Sequence, residues 1–248
     1  MSSDNEIFSR ARLLFGDEGM KRLSDIKVIL FGVGGVGSWC AEALIRSGVT
    51  HLTIVDCDTV CQSNINRQLM AVHSTVGMPK VAALKARLLD INPLANINAL
   101  RKVFNVESAE SFNLESYDYI IDAIDSLADK ALLILLGTRT KAHLLSSMGA
   151  ALKLDPERIH ITEFWKVKGC PLARALRQRF KKRGEYPAKK FKCVYSDELV
   201  ANKCELTEPD DNSGKTRVNG SLMHITSIFG AMLASLVIRS ATADQSVG

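Results

Sequence analysis

Gly32, Gly34, Gly35 and Gly37 fall in the stretch ILFGVGGVGSWCAEALIRSG, between an apolar run and a helical pattern that ends at Gly48. Glycines at such a junction let the backbone turn tightly and bring unpaired helix N-terminal N–H groups against a phosphate. About twenty residues further on, HLTIVDCD places Asp56, with Asp58 just beyond it, where a carboxylate can hold a ribose hydroxyl. Asn64, Arg67, Gln68 and Lys80 follow. Two cations and two amides near a glycine loop suit a triphosphate better than a pyrophosphate, because more anionic charge must be neutralised. Later, YIIDAIDS ends another apolar run on Asp122 and Asp125. A carboxylate there can take Mg²⁺ through one bond and leave the other positions to water and phosphate. Each residue alone has a plainer use as a turn, a surface charge or, for Asp125, a cap for the helix beginning near Leu127. Their joint placement is what points to ATP with Mg²⁺.

These groups must sit on one edge of one sheet. Strand-like runs at Lys27–Phe31, His51–Asp56, Asn98–Phe104, Tyr117–Asp122 and Leu144–Ser147 alternate with helical patterns near Val36–Ser47, Pro79–Ile91 and Leu127–Lys141. That alternation predicts an α/β fold, a Rossmann-like and mostly parallel sheet with helices on both faces. A further strand in RIHITEF precedes a basic helix that Pro171 opens. Residues 205–220, polar and rich in turn formers, read as a mobile loop. The apolar SLMHITSIFGAMLASLVIRS reads as a core or interface helix, too short and too rich in hydroxyls for an obvious membrane span.

The chain has 248 residues, 46% of them hydrophobic, and a net charge of +5. We expect one domain over 1–248, with a nucleotide-binding core at 1–165 and a substrate-facing and dimer-facing extension at 166–248. The first residues carry acids and no apolar signal core, and the six cysteines form no C-x-x-C pair, so reduced thiols and a cytoplasmic location are expected. Charge is uneven. RALRQRFKKRGEYPAKKFK (174–192) is dense in Lys and Arg with a single Glu. It reads either as a solvated helix face or as an RNA-backbone patch, with Phe180, Tyr186 and Phe191 interleaved for stacking.

The blocks FSRARLLFGDEGMKRL, GVGGVGS, DCDTVCQSNINRQ, VGMPK, INP and DAIDS, in this order and spacing, resemble the ThiF-like adenylating enzymes related to ubiquitin-activating enzymes. The resemblance implies a fold that binds Mg-ATP and lets a carboxylate attack its α-phosphate, releasing pyrophosphate. By motif, Asp56 would hold the ribose; Asn64, Arg67, Gln68 and Lys80 the phosphates; and Asp125 the Mg²⁺. Arg10 falls where the superfamily carries an arginine that reaches into the neighbouring subunit's ATP site, with Arg12 as the alternative, and a homodimer is implied. Arg10, Arg67, Lys80 and Asp125 are thus the catalytic candidates.

Relatives that activate sulfur carriers usually hold zinc with two C-x-x-C pairs, which this chain lacks. Its GAALKLDPERIHITEFWKVKGCPLARALRQRFKKRG, KCVYSDEL and NGSLMHITSIFGAMLASLVI instead resemble the branch of tRNA threonylcarbamoyladenosine dehydratases. That branch adenylates the threonyl carboxylate of a modified adenosine beside the anticodon and closes it to a ring with loss of water. A tethered nucleophile needs no enzyme thiol. A tRNA substrate gives the basic run a partner, through Arg174, Arg177, Arg179, Lys181, Lys182, Arg183, Lys189 and Lys190. Cys193 reads as a loop cysteine without chemistry, although Lys192 and Lys203 could lower its pKa. Cys57 and Cys61 read as packing residues beside the nucleotide. The alternatives are an activating enzyme for a sulfur-carrier or ubiquitin-like protein, with Cys193 as acceptor, and an NAD-binding oxidoreductase. A sulfur-relay protein is a further expected partner.

Overall fold

The computed structural model describes residues 4–204 and 219–243. Seven strands form one sheet in the order β3-β2-β1-β4-β5-β7-β6. They are β1 Lys27–Phe31, β2 His51–Val55, β3 Asn96–Leu100, β4 Tyr119–Asp122, β5 His143–Ser147, β6 Ile159–Glu163 and β7 Lys192–Ser196. All neighbours are parallel except β6 and β7. The helices are α1 Asp4–Ile7, α2 Ser9–Asp25, α3 Gly37–Arg46, α4 Lys80–Ile91, α5 Leu127–Gly137, α6 Pro171–Arg183 and α7 Met223–Thr242.

Strand side chains alternate between faces, so adjacent residues enter different cores. Val28, Leu30, Leu52 and Ile54 pack with α3, α4 and α7, whereas Ile29, Phe31, Val55 and Ile120 pack with α5 and α6. In α7, Ile225, Phe229, Leu233 and Val237 recur every four residues and are wholly buried. By length and composition α7 could cross a membrane, but this stripe makes it a core helix. Gly230 lets it lie against α3, where a Cβ would stand 2.5 Å from the Val36 carbonyl oxygen.

Several expected boundaries move. The strand expected at Asn98–Phe104 ends at Leu100, because Phe104 turns inward against Phe31, with ring centroids 4.9 Å apart. The Tyr117–Asp122 strand starts at Tyr119, after a 3-10 turn over Leu114–Ser116. The Leu127–Lys141 helix stops at Gly137, where Thr138 Oγ1 donates back to the Ile134 carbonyl. KCVYS is strand β7, not a loop. Of the loop expected at 205–220, residues 205–218 lie outside the described residues.

Candidate nucleotide-binding site

Strand order reverses between β1 and β4, and open α/β sheets bind ligands in the crevice beyond the carboxyl ends of strands at such a point. Gly32 follows β1 directly with φ of 83°. A Cβ there would lie 2.6 Å from the Ala123 carbonyl oxygen, and at Gly37 only 1.8 Å from that of Gly32, so packing alone demands both glycines. Gly34 differs: its nearest neighbour would be Gln68 Nε2 at 3.7 Å. Packing therefore leaves the space over Gly34 open. Among the described residues, the N–H groups of Gly34, Gly35 and Val36 make no hydrogen bond. They sit where α3 begins, and donors at a helix N-terminus favour an anion.

Asp56 ends β2 beside this loop. Its Oδ2 accepts from Val33 N–H at 2.8 Å and its Oδ1 from Asp58 N–H at 2.9 Å. The two bonds fix the carboxylate while lone pairs remain for a ribose hydroxyl. Burial raises its pKa above the ordinary 3.8, against the pull of Lys80 and of the two N–H donors. The Lys80 ammonium is almost buried and pairs with Asp58 Oδ2 at 2.8 Å.

Arg67 lies against the glycine loop, its Cγ 3.5 Å from where a Gly35 Cβ would stand. Its Nη1 donates to Ser63 O at 2.9 Å and to Asn66 Oδ1 at 3.0 Å, while Nε and Nη2 have no partner among the described residues. Trp39 Nε1 holds the Arg67 carbonyl at 3.1 Å. Buried Asn64 shapes the same turn, accepting from Cys61 N–H. Gln68 is buried, and its Oε1 is a buried acceptor with no partner among the described residues. An orphaned acceptor and orphaned donors around one open space fit a hydroxylated, phosphorylated ligand. Asp125 is exposed on the loop between β4 and α5, a placement that fits a carboxylate ligand for Mg²⁺.

The structure corrects other expectations. Asp122 does not face the crevice: it is wholly buried and bonded to Lys130, Ser146 Oγ and Ile124 N–H. Lys130, a supporting residue behind the site that the sequence does not single out, is equally buried. Its only signal was a lysine among the apolar residues of ADKALLILL. Cys193 is buried in β7, and burial drives its thiol well above the usual range despite nearby Lys130. Cys57 is exposed rather than packed.

In the basic segment, Arg174, Lys181, Lys182, Arg183 and Lys190 are exposed and Arg179 is half-buried. Arg177 instead donates to the carbonyls of Phe164 and Val167, and Lys189 to those of Thr140 and Ala142. Phe180 and Phe191 are core residues, leaving only Tyr186 of the three aromatics exposed. Arg10 is exposed on α2 and has no partner among the described residues, whereas Arg12 is engaged with Asp17.

The model of the ThiF family matches residues 8–247. The tRNA threonylcarbamoyladenosine dehydratase of Bacillus subtilis is 44% identical over 212 residues, 85% of this chain and 83% of that protein. That of Haemophilus influenzae is 34% identical over 233 residues, 91% and 89% of the two chains. The solved E. coli tRNA N6-threonylcarbamoyladenosine dehydratase, TcdA, in complex with ATP, superposes with a TM-score of 0.83 at 30% identity, covering 96% of this chain and 94% of that one.

Proposed function

The chain belongs to the ThiF family, and we propose on that premise that it is an ATP-dependent tRNA threonylcarbamoyladenosine dehydratase. The observation that carries this reading is the crevice at Gly34. Unpaired N–H donors, the free edge of Arg67, the Asp56 carboxylate and the orphaned Gln68 acceptor converge there, in a chain alike over most of its length to an ATP-binding dehydratase.

The threonyl carboxylate is a poor electrophile. One of its oxygens attacks the α-phosphorus of ATP, pyrophosphate leaves, and the mixed anhydride makes AMP the next leaving group. The carbamoyl group of the same side chain then displaces AMP and closes the ring, and the net loss is one water. Tethering supplies an effective concentration on the order of 10⁵ M or more, so no protein nucleophile is needed. The glycine-loop N–H groups, Arg67 and Lys80 bind the phosphates and stabilise charge that builds on them. Asp56 orients the ribose. Asp125 would hold Mg²⁺, which supplies charge neutralisation on the phosphates.

The exposed cations Arg174, Lys181, Lys182, Arg183 and Lys190, with half-buried Arg179, meet the tRNA backbone. A homodimer in which Arg10 completes the partner's site is part of the proposal, and the exposed Leu13 and Leu14 beside it on α2 support a covering second copy. A cytoplasmic location, and a sulfur-relay protein as a further partner, complete the reading. The test is pyrophosphate release and mass-spectrometric product analysis with modified tRNA, unmodified tRNA and sulfur-carrier proteins. Release with modified tRNA and a product lighter by one water is expected. Release only with a carrier protein overturns the proposal.

A further inference from the structure

Between α5 and α6 runs a groove of about 450 Å³, a volume within the range of small-ligand sites. Leucines of α5, Leu132 among them, and the edge of Phe180 make its floor. Arg139, Arg179 and Arg183 stand around it, and none of the three guanidinium groups makes a hydrogen bond or ion pair among the described residues. Glu107, Asp129 and Glu185 line it as well, and their carboxylates are equally unpaired among the described residues. Three guanidinium groups and three carboxylates have thus been brought around one apolar slot without neutralising one another. A protein ligand of one charge would satisfy half of them. A nucleotide satisfies all: its base stacks on apolar or guanidinium surface, its exocyclic amines donate to carboxylates, and its phosphates take the arginines.

Position along α5 adds the second strand of reasoning. Asp129 stands in the first turn of α5, four residues after Asp125 of the preceding loop, and Leu136 of the groove floor lies about 10 Å further along the helix at 1.5 Å per residue, with Arg139 just past its end. A single-stranded RNA with one base at the Asp125 edge therefore has its neighbouring nucleotides at the groove's mouth. The lining arginines of α6 continue into Lys181 and Lys182, the exposed cations of its last turn.

We propose that this groove receives a nucleotide flanking the modified adenosine in the single-stranded loop of the substrate RNA. The inference rests on the dehydratase reading. Sequence context around the modified base is then read by Glu107 and Asp129, not at the ATP crevice.

Two variants test it, Arg139→Ala at an exposed rim position and Leu132→Trp, which fills the floor. Turnover is compared on an anticodon stem-loop carrying the modified adenosine and on the modified nucleoside alone. Expected is at least a tenfold fall in kcat/KM for the stem-loop in both variants, with ATP affinity and nucleoside turnover within twofold of wild type. If Leu132→Trp misfolds by circular dichroism, Arg139→Ala decides. Stem-loop kcat/KM unchanged in Arg139→Ala, with wild type active, overturns the groove. Should wild type fail to turn over modified RNA, the dehydratase reading falls first. Stem-loop binding by fluorescence anisotropy then judges the groove alone: equal affinity in Arg139→Ala and wild type overturns it, and a tenfold loss upholds it.

Discussion

Lys130 Nζ lies 2.8 Å from Asp122 Oδ2, and both side chains are completely buried. The same ammonium donates to the Ile124 carbonyl at 2.9 Å, and Asp122 also accepts from Ser146 Oγ at 2.7 Å and from Ile124 N–H at 3.1 Å. One pair therefore ties the end of β4, the loop that carries Asp125, the first turns of α5 and strand β5. Removing one partner leaves an uncompensated buried charge, which costs about 3–5 kcal/mol. Lys130→Met should lower urea-unfolding stability by that amount, and Lys130→Met with Asp122→Leu should recover part of it. A loss in the double variant equal to the sum of the Lys130→Met and Asp122→Leu losses would show that the two residues act independently.

Gly34 and Gly37 should separate ligand space from packing. Gly37→Ala forces a Cβ onto the Gly32 carbonyl, so the protein should melt lower or fail to fold. Gly34→Ala meets nothing closer than 3.7 Å. It should keep its melting temperature within about 2 °C, well under the shift of a 1 kcal/mol defect. Its ATP affinity should nevertheless fall at least tenfold by calorimetry. Unchanged affinity would move the phosphates off this loop.

The half-buried Asp56 carboxylate has a raised pKa, so the folded protein binds its proton more tightly than the unfolded chain. Its contribution to stability is present below the ordinary value of 3.8 and is lost as pH rises through the raised folded value. The nucleotide feels the reverse. A protonated Asp56 is a weaker acceptor for a ribose hydroxyl, and a bond to a charged group is worth about 1.5–3 kcal/mol. ATP affinity should drop as pH is lowered toward the raised folded value, sooner than an ordinary aspartate would titrate. Asp56→Asn should bind weakly with a flatter pH profile. Parallel profiles in the two proteins would remove Asp56 from the ribose.

Cys193 sits in the sheet interior with a thiol held in its protonated form by burial. Cys193→Ala should leave ring closure within roughly tenfold of wild type, about 1.4 kcal/mol in the barrier. Adenylation preserved with ring closure abolished would demand a thioester route instead.

Arg10 and Asp125 should complement each other across a dimer. Arg10→Ala and Asp125→Ala homodimers should both be inactive, and their mixture should regain one working site per mixed dimer. A verified heterodimer without activity counts against an arginine supplied by the partner.

The alternation of apolar runs made β1, β2, the glycine loop and Asp56 readable, because each depends on neighbours a few residues away. β7 was not readable: KCVYS lacks a clean period of two, and what makes it a strand is pairing with β5 and β6, far away in sequence. Charge misled for a related reason. Arg177 and Lys189 look like their exposed neighbours in the sequence, but unpaired backbone carbonyls from distant turns claim their head groups. Asp122 and Asp125 stand three residues apart with the same chemistry. Only the position of Lys130 decides which one faces inward.

The wall behind the glycine loop comes from far along the chain. Thr226 Cγ2 stands 3.2 Å from where a Gly35 Cβ would be, and its hydroxyl donates to the Arg67 carbonyl across 159 positions. A nascent chain emerging from the ribosome thus completes its first strands and loop long before α7 arrives to back them. The nucleotide crevice is assembled last, after the sheet it crowns, and fragments released before α7 is made carry the glycine motif without the pocket. Quality control by ligand binding follows: nucleotide protects only chains that have been synthesised through their final helix.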